Sequence, residues 1–265
     1  MMRRTAKNQH SEKSPEPPPV EIIPLTGMPE IVPGDDLAGV IVKAVARRSL
    51  SIEHGNIFVV AQKIVSKSEG KIVKLDSIAP SKRAMRWAAK YQKDARVIEL
   101  ALRQAKRIVR MEKGVIIAET RHGFICANAG VDTSNTAKGT AVLLPEDPDR
   151  SARQLKAKLA KRFGVSVAVL ISDTFGRPWR EGLVNVALGV AGFHPLVDYR
   201  GKRDASGKAL HATIIAAADE LASAAELVMG KSNAIPVALI RGITLPKRLG
   251  SGYDLIRPVE QDLFR

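Results

Sequence analysis

Short apolar segments alternate with helical segments along this chain, but without the regular strand-helix-strand rhythm of a dinucleotide-binding sheet. No GxGxxG motif follows an apolar segment, so the phosphate loop of such a sheet is missing as well. This irregular order favours an α+β fold with irregular mixed sheets and flanking helices. Predicted strands cover residues 21–25, 57–61, 115–118, 141–144, 165–171, 184–191 and 236–240, and predicted helices cover 35–48, 80–110, 151–163 and 212–229.

The composition predicts a globular protein that needs no disulfide bonds. Of the 265 residues, 45% are apolar, which is enough for a full core. The single cysteine, Cys126, is expected to be buried packing; it favours a reducing, cytoplasmic compartment and excludes a cysteine-rich zinc site. No apolar run approaches the roughly 18 residues of a membrane span. Residues 1–20 lack the apolar core of a signal peptide and predict a disordered basic arm before a domain over 21–265.

The formal net charge of +15 suggests an anionic partner: nucleic acid, a membrane surface or polyanionic small molecules. Much of the excess lies in residues 82–113 and 150–162, where a solvated helix face explains most of the basic residues. A nucleic-acid-binding module would need aromatic residues among them for stacking, but only Trp87 and Tyr91 occur in the first stretch. Neither nucleic acid nor a membrane is therefore the expected partner.

Two Asp-Thr dipeptides give the clearest indication of chemistry. Asp173 follows the apolar segment 165–171, where a strand can present a carboxylate rigidly into a cleft, although an aspartate there can also simply cap the next turn. Asp132 lies in the second dipeptide, close to Ser134 and Asn135. Two carboxylates, each beside a hydroxyl, are hard oxygen ligands suited to Mg²⁺ or Mn²⁺ carrying phosphate groups.

Charged residues follow Asp173 closely. Arg177 and Arg180, separated by a Pro-Trp pair, offer planar guanidinium groups that match phosphate oxygens. The alternative is a structural salt bridge, for instance between Arg180 and Glu181. Glu181 is also a candidate general base, although nothing in the sequence indicates a shifted pKa. We interpret this segment as a loop that supplies positive charge to a transferred group.

Two other segments have features of phosphate-binding turns. Ser66, Lys67, Ser68 and Glu69 come just after an apolar strand, a placement found at phosphate sites and in ordinary loops alike. The segment MGKSNAIP, residues 229–236, contains Gly-Lys-Ser, but Ala225 stands where a Walker motif needs its first glycine. This turn can still offer backbone amides and a lysine to a nucleotide; the alternative is a plain helix C-cap at its glycine.

Five segments occur in a fixed order: PLTGMPEIVPGDDL, AQKIVSKSEGK, NAGVDTSN, SDTFGRPWREG and MGKSNAIPVALIRG. With them the chain resembles the coenzyme F420-0:L-glutamate ligase family over roughly residues 20–245. The resemblance implies the fold peculiar to that family and an intertwined homodimer. It also implies a GTP- and metal-dependent ligase of coenzyme F420 biosynthesis, which adds L-glutamate to the lactyl carboxylate of coenzyme F420-0, first as an amide and then through γ-linkages.

Carried over motif by motif, the resemblance assigns metal ligands and a nucleotide-binding set. The metal ligands would be Asp132, Asp173 and Thr174. The nucleotide would meet Met28, Pro29, Glu30, Ile31, Gln62, Lys63, Lys67, Asn135, Met229, Gly230, Lys231, Ser232, Asn233, Ala234, Ile235 and Pro236. The implied cofactors are two divalent ions, Mg²⁺ or Mn²⁺, with K⁺ as a further candidate and GTP as co-substrate.

Lys231 departs from the family pattern, because one family metal contact falls at this position. A lysine ammonium cannot ligate a cation. Either the backbone carbonyl of Lys231 serves instead, or that metal site is altered; the sequence leaves both interpretations open.

The expected chemistry is activation of a carboxylate. A carboxylate is a poor electrophile, so the γ-phosphoryl group of GTP is expected to move onto it and give an acyl phosphate, which the amine of glutamate then attacks. Arg177, Arg180 and Lys67 would add positive charge around the transferred group. The alternative function is a metal-dependent nucleotide phosphohydrolase, which transfers phosphate only to water.

Overall fold

The computed structural model describes residues 18–246 and 248–263 of the chain, so most of the predicted arm over residues 1–20 lies outside it. The strands within these residues are β1 (Glu21–Pro24), β2 (Ile57–Ala61), β3 (Ile72–Lys74), β4 (Ala105–Glu112), β5 (Val115–Thr120), β6 (Ile125–Ala127), β7 (Thr140–Val142), β8 (Ala168–Arg177), β9 (Arg180–Ala191), β10 (Val197–Asp198), β11 (Ile214–Ile215) and β12 (Val237–Arg241). The α-helices are α1 (Leu37–Arg47), α2 (Gln62–Ser68), α3 (Lys82–Tyr91), α4 (Ala95–Gln104), α5 (Pro148–Phe163) and α6 (Ala217–Met229). None of the helices in these two ranges is both long and apolar enough to cross a membrane.

A five-stranded sheet with the order β1-β12-β2-β8-β9 is the largest sheet. In it β2 and β8 pair in parallel, and the other neighbours are antiparallel. Three smaller sheets are formed by β4-β5-β6, β3-β7 and β10-β11. The predicted α+β class with irregular mixed sheets and flanking helices is confirmed, whereas the homodimer stays a prediction.

Helices cover both faces of the five-stranded sheet. Phe58 and Val60 of β2 lie in one hydrophobic cluster with residues of α1 and α5, whereas Ile57 and Val59 lie in another with residues of α6. The two sets separate because successive side chains of a strand point to opposite faces. All four residues are at most 1% exposed. This two-sided burial explains why the segment is apolar throughout rather than at every second position.

The prediction of a mainly helical segment over 80–110 is correct only in part. Helix α3 ends at Tyr91, before Gln92 with a left-handed φ of 53°, and α4 begins after Asp94, whose carboxylate accepts a hydrogen bond from the Arg96 amide. Residues 105–112 form β4, an edge strand paired with β5. The basic residues there lie on a strand, where lysine and arginine discourage further pairing at a free edge.

Two segments predicted as loops are regular structure. Residues 62–68, directly after β2, form α2. Strand β8 does not end near Asp173 but continues to Arg177, which faces Arg180 across a two-residue turn into β9. The segment is therefore a β-hairpin, since Phe175 pairs with Val184 and extends the ladder past the sheet. The last predicted helix is also shorter than expected and begins at Ala217.

A bulge in β9 lets the strand fit closely against α5. Gly189 pairs with Ile171 and Ala187 pairs with Ser172, so one residue of β9 has no counterpart in β8. A Cβ atom on Gly189 would lie 2.4 Å from the backbone of Pro148, the first residue of α5. Only glycine therefore allows this approach of helix to strand.

We expect Gly189→Ala to destabilise the protein by about 1–3 kcal/mol, because the added methyl group must push α5 away from the sheet. Gly176→Ala is the matched control in the same sheet: its added Cβ would meet its nearest neighbour, in Leu183, at 3.9 Å. Chemical denaturation followed by circular dichroism measures both. Equal losses for the two variants would contradict this account of the packing.

Candidate active site

Four segments of the chain meet at the ends of the strands of the five-stranded sheet, on the side where β2 and β8 end. We call this side the carboxylate edge of the sheet. Because β2 and β8 are parallel, with Ala61 opposite Ser172, the residues that follow them lie at the same edge. The antiparallel partners bring the segment after β1 and the turn before β12 to this edge too. The Ala61 amide donates to the Pro236 carbonyl over 2.8 Å, which ties the turn to β2. The predicted nucleotide-binding segments 28–31, 62–67 and 229–236 are thus brought together beside Asp173.

Lys63 links α2 to the loop that carries Asp132. Its Nζ lies 2.6 Å from Asp132 Oδ2, 2.7 Å from the Ser134 carbonyl oxygen and 2.9 Å from Ser134 Oγ. The Ser134 amide donates to the other carboxylate oxygen of Asp132 over 2.7 Å. Burial opposes ionisation of Asp132, but the Lys63 ammonium and the Ser134 amide hold its pKa below the usual value. Asp132 is therefore ionised and fixed in orientation.

Lys67 is a buried cation, with only 6% of the residue exposed. Its Nζ donates to the Asn135 carbonyl oxygen over 2.8 Å and forms an ion pair with the Glu30 carboxylate. A buried ammonium needs such partners because it has lost its hydration. The Glu30 side chain is 75% exposed, so the anionic partner of Lys67 comes from the solvent side. The contact brings together three of the predicted nucleotide-binding residues.

Not every predicted nucleotide-binding side chain faces this edge. Ile31 belongs to the hydrophobic core, and Met28 packs against that core. Gln62 is buried, where its Oε1 accepts a hydrogen bond from Ser66 Oγ over 2.9 Å. The Ile31 side chain is therefore buried away from a ligand, and the Gln62 oxygen already has a partner inside the protein.

Asp173 lies close enough to Asp132 for the two carboxylates to act on each other. Burial raises the pKa of Asp173 to about 6, and the charge of Asp132 adds to the increase, while its backbone hydrogen bond with Thr174 and the charges of Lys63 and Lys231 oppose it. In the described part of the chain Asp173 forms no salt bridge. Burial is the main obstacle to its ionisation, and a carboxylate perturbed in this way is common in functional sites.

Thr174 points to the opposite face from Asp173, as neighbouring residues of a strand do. Its hydroxyl donates to Asn185 Oδ1 on β9 over 2.7 Å, and the Asn185 amide nitrogen donates to Glu226 Oε2 on α6 over 2.9 Å. Lys231 completes the network, since its Nζ contacts Thr174 Oγ1, Asn185 Oδ1 at 3.2 Å and Glu226 Oε1 at 2.8 Å. The two predicted metal ligands of the Asp-Thr dipeptide therefore belong to different groups of side chains.

Asn185 and Glu226 were missed by the analysis of the sequence. Asn185 is a buried amide between the apolar residues Val184 and Val186 of β9, and Glu226 lies between small and apolar residues near the end of α6, five positions before Lys231. A polar residue in such surroundings needs a partner, and this was the signal available in the sequence. It did not indicate that the two residues contact each other.

The turn 229–236 begins where α6 ends. Gly230 has a φ of 61° and a ψ of 179°, and a Cβ atom there would lie 2.6 Å from the Asn233 side chain. The Gly230 amide donates to the Glu226 carbonyl oxygen over 3.0 Å, so this glycine is the C-cap of α6. The interpretation as a helix C-cap is confirmed, whereas binding of a nucleotide by this turn, which lies beside the carboxylate edge, stays a prediction.

Arg177, Arg180 and Glu181 lie at the tip of the β8–β9 hairpin. The Arg177 guanidinium binds the backbone carbonyl oxygens of Glu181 and Gly182. No salt bridge between Arg180 and Glu181 is found, although both residues are described. Arg177 lies four positions along the extended strand from Asp173, a Cα distance of about 13 Å. Within one chain the predicted catalytic residues are therefore not brought to the carboxylates.

The carboxylate oxygens of Asp132 and Asp173 are of the right chemical type for one hard divalent ion. Two side chains are, however, too few to fill its coordination shell. Carboxylate oxygens are the preferred protein ligands of Mg²⁺ and Mn²⁺, and the excess negative charge at Asp173 favours a cation. Among the described residues no group of three or more His, Cys, Asp or Glu side chains could hold a metal. An ion here would take its other ligands from water or phosphate, as Mg²⁺ commonly does.

Cys126 lies near Asp173 but is not a reactive thiol. It is buried in β6, and burial together with the Asp173 charge raises its pKa to about 12. The expectation that this cysteine is buried packing is confirmed.

Comparison with known proteins shows that nearly the whole chain is similar to one family. Residues 27–242 match the family model described as F420-0:gamma-glutamyl ligase. A coenzyme F420:L-glutamate ligase of Methanothermobacter thermautotrophicus is 44% identical over 249 residues, covering 93% of this chain and 99% of the relative. Proteins with the same name from Methanocaldococcus jannaschii and Methanopyrus kandleri are 48% and 45% identical, covering 81% and 94% of this chain and 86% and 98% of the relatives.

We expect Asp173→Asn to stabilise the protein in the absence of divalent ions at pH 8. The folded-state pKa of about 6 lies above the unfolded value, so ionisation of Asp173 costs stability as the pH rises through 6. The gain is at most about 2–3 kcal/mol at pH 8 and disappears below about pH 4. Thermal unfolding with a chelator present measures it.

Asp132→Asn is the matched control and should have the opposite sign. Its carboxylate has a lowered pKa, because it is paired with Lys63, so the substitution leaves a half-buried ammonium without its anion. Destabilisation by both substitutions at pH 8 would contradict the assigned charge balance.

Proposed function

Because this chain belongs to the F420-0:gamma-glutamyl ligase family, a family of ligases, we propose that it joins L-glutamate to coenzyme F420-0 in coenzyme F420 biosynthesis. We further propose that GTP drives the reaction, that a divalent ion is required, and that an acyl phosphate links the two half-reactions. The single observation that supports this best is the convergence of Lys63, Lys67, Asp132 and Asp173 at one edge of the sheet.

Lys67 is the proposed binding group for a phosphate of GTP. Its ammonium is buried and donates a hydrogen bond to the Asn135 carbonyl oxygen, which fixes its position. Its anionic partner, Glu30, is largely exposed. A phosphate oxygen can replace the Glu30 carboxylate without leaving the buried ammonium unpaired. Binding of the nucleotide therefore exchanges one anion for another, which limits the cost of desolvation.

Asp132 and Asp173 are the proposed ligands of the divalent ion. A bound Mg²⁺ or Mn²⁺ would neutralise charge on the phosphate oxygens and relieve the repulsion between the two carboxylates. Lys63 orients Asp132 through an ion pair and holds the same loop through two hydrogen bonds to Ser134, and strand β8 orients Asp173. Both carboxylates are thus positioned before the ligand arrives, which is what electrostatic preorganisation requires.

The proposed reaction balances in two steps. A carboxylate oxygen of coenzyme F420-0 bonds to the γ-phosphorus of GTP while the bond from that phosphorus to the bridging oxygen breaks, which releases GDP. The nitrogen of glutamate then bonds to the acyl carbon, the carbon–oxygen bond to phosphate breaks, and the amine proton passes to a base. Positioned cations such as Lys67 stabilise the negative charge on the phosphoryl oxygens.

Arg177, Arg180 and Glu181 take part, in this proposal, from a second chain. Within one chain they lie at the hairpin tip, about 13 Å along the strand from Asp173. Trp179 and Leu183 at this tip are 79% and 67% exposed. Large apolar residues at such exposure suit a protein interface. A homodimer in which the hairpin crosses to the other chain would supply the predicted cations and the candidate base.

We expect Asp173→Asn to abolish ligation, with at least a hundredfold loss of glutamate-dependent GDP release, because removal of one preorganised charge costs about this much. Mass spectrometry of the products formed from GTP, L-glutamate and coenzyme F420-0 measures ligation directly. Full turnover by the variant would remove Asp173 from the ligand set. GDP release by the wild type that does not depend on glutamate would favour the alternative, a nucleotide phosphohydrolase.

The crossing of the hairpin predicts complementation between two inactive variants. Asp173→Asn chains, refolded together with chains carrying Arg177→Ala and Arg180→Ala, should recover about one quarter of the wild-type activity, since half of the dimers then contain one intact site. Each variant refolded alone is the control. No recovery, with mixed dimers demonstrated by mass spectrometry, would show that the hairpin does not act across the interface.

A further inference from the structure

We infer that the Lys231 ammonium is a built-in cation of the active site and takes the place of a second metal ion. The sequence leaves two interpretations of this position open: a metal ligand through the backbone, or an altered metal site. The contacts of the side chain favour the altered site. The inference rests on the proposed function, since it concerns the cations that act on the nucleotide.

The Lys231 ammonium has the number of partners that its chemistry requires. It carries three N–H donors and contacts three oxygens, one each from Thr174, Asn185 and Glu226. These oxygens come from β8, β9 and α6, so the group is assembled by the tertiary fold. The Lys231 side chain is 59% exposed and enters the group from the open side, as a dissolved ion would.

The oxygens around Lys231 are those of a cation site. A hydroxyl, an amide carbonyl and a carboxylate are the ligands that hard cations such as Mg²⁺ and K⁺ take in proteins. The three groups also fix one another, because Thr174 donates to Asn185 and Asn185 donates to Glu226. Each orients an oxygen toward the ammonium. A second divalent ion on Thr174 would lie beside this positive charge and be repelled by it.

Of the two carboxylates near the other face of β8, Asp132 and Asp173, only Asp132 has an ammonium group as a direct partner among the described residues. Lys63 neutralises Asp132, but no salt bridge within residues 18–246 or 248–263 reaches Asp173. The direct contacts of Lys231 lie on the face of Thr174, so its charge acts on Asp173 only through space and without a salt bridge, while Asp173 faces Asp132. One exchangeable divalent ion at Asp132 and Asp173, with one fixed ammonium at Thr174, therefore satisfies both faces.

Counting bound Mn²⁺ tests the inference. Electron paramagnetic resonance of free Mn²⁺, titrated with protein and GDP, gives the number of ions per chain. We expect one ion on the wild type and two on Lys231→Gln, because glutamine removes the charge and supplies an amide oxygen. Two neighbouring ions should also broaden the bound spectrum through their magnetic interaction. Lys208→Gln, an exposed lysine outside the site, is the matched control and should bind one ion.

Each outcome decides the matter. Two ions on the wild type, or a single ion on folded Lys231→Gln, would overturn the inference. If the variant does not fold, the wild-type count alone decides between one ion and two. Glutamate-dependent GDP release by the wild type tests the proposed function separately. A ligase with two ions per chain would refute only the inference, whereas a count of one and then two without ligation would refute only the proposed function.

Discussion

The parallel pairing of β2 with β8 in the middle of the sheet is the contact on which the site depends. With Ala61 opposite Ser172, helix α2 and Asp173 must emerge side by side. An antiparallel pairing of the same two strands would place Asp173 at the other end of β2, about 16 Å away. Both strands are buried on both faces, so the pairing is secured by the two helical layers that cover them. The core of the protein thus fixes the distance between lysines and carboxylates.

Charge balance is the second organising feature of the site. Lys63, Lys67 and Lys231 each contact an acidic side chain, whereas Asp173 has no salt-bridge partner among the described residues. Ion pairs of this kind contribute little net stability, so their value lies in fixing orientation. Functional sites commonly retain unfavourable charge of the kind seen at Asp173, at the expense of stability.

Because β8 is pleated, the two side chains of its Asp-Thr dipeptide point to opposite faces of the strand and contact different groups. Asp173 faces the carboxylate of Asp132, and Thr174 faces Lys231 and α6. Two adjacent residues can therefore hold two different positive charges on either side of one strand. The same strand continues into the hairpin that carries Arg177 and Arg180, so one element connects the proposed cation sites with the proposed dimer contact.

The sequence by itself determined the fold class, most of the strands and the carboxylates. Unbroken apolar runs identified β2 and β8, since a strand buried on both faces must be apolar throughout. Asp173 stood out because it follows an apolar segment, and Asp132 because it lies in a second Asp-Thr dipeptide close to Ser134 and Asn135. Local patterns sufficed for these features.

Only the tertiary structure decided where α2 begins, that β8 continues past Asp173, and that Asn185 and Glu226 belong beside Lys231. The grouping of the site side chains rests on contacts between residues far apart in the chain: Lys63 lies 71 positions from Ser134, and Asn185 lies 41 positions from Glu226. Strand pairing overrides local helical propensity in β4, which pairs with the following strand, β5. Whether a lysine binds a phosphate or replaces a metal ion depends on which oxygens surround its ammonium, and the folding of β8, β9 and α6 sets that arrangement.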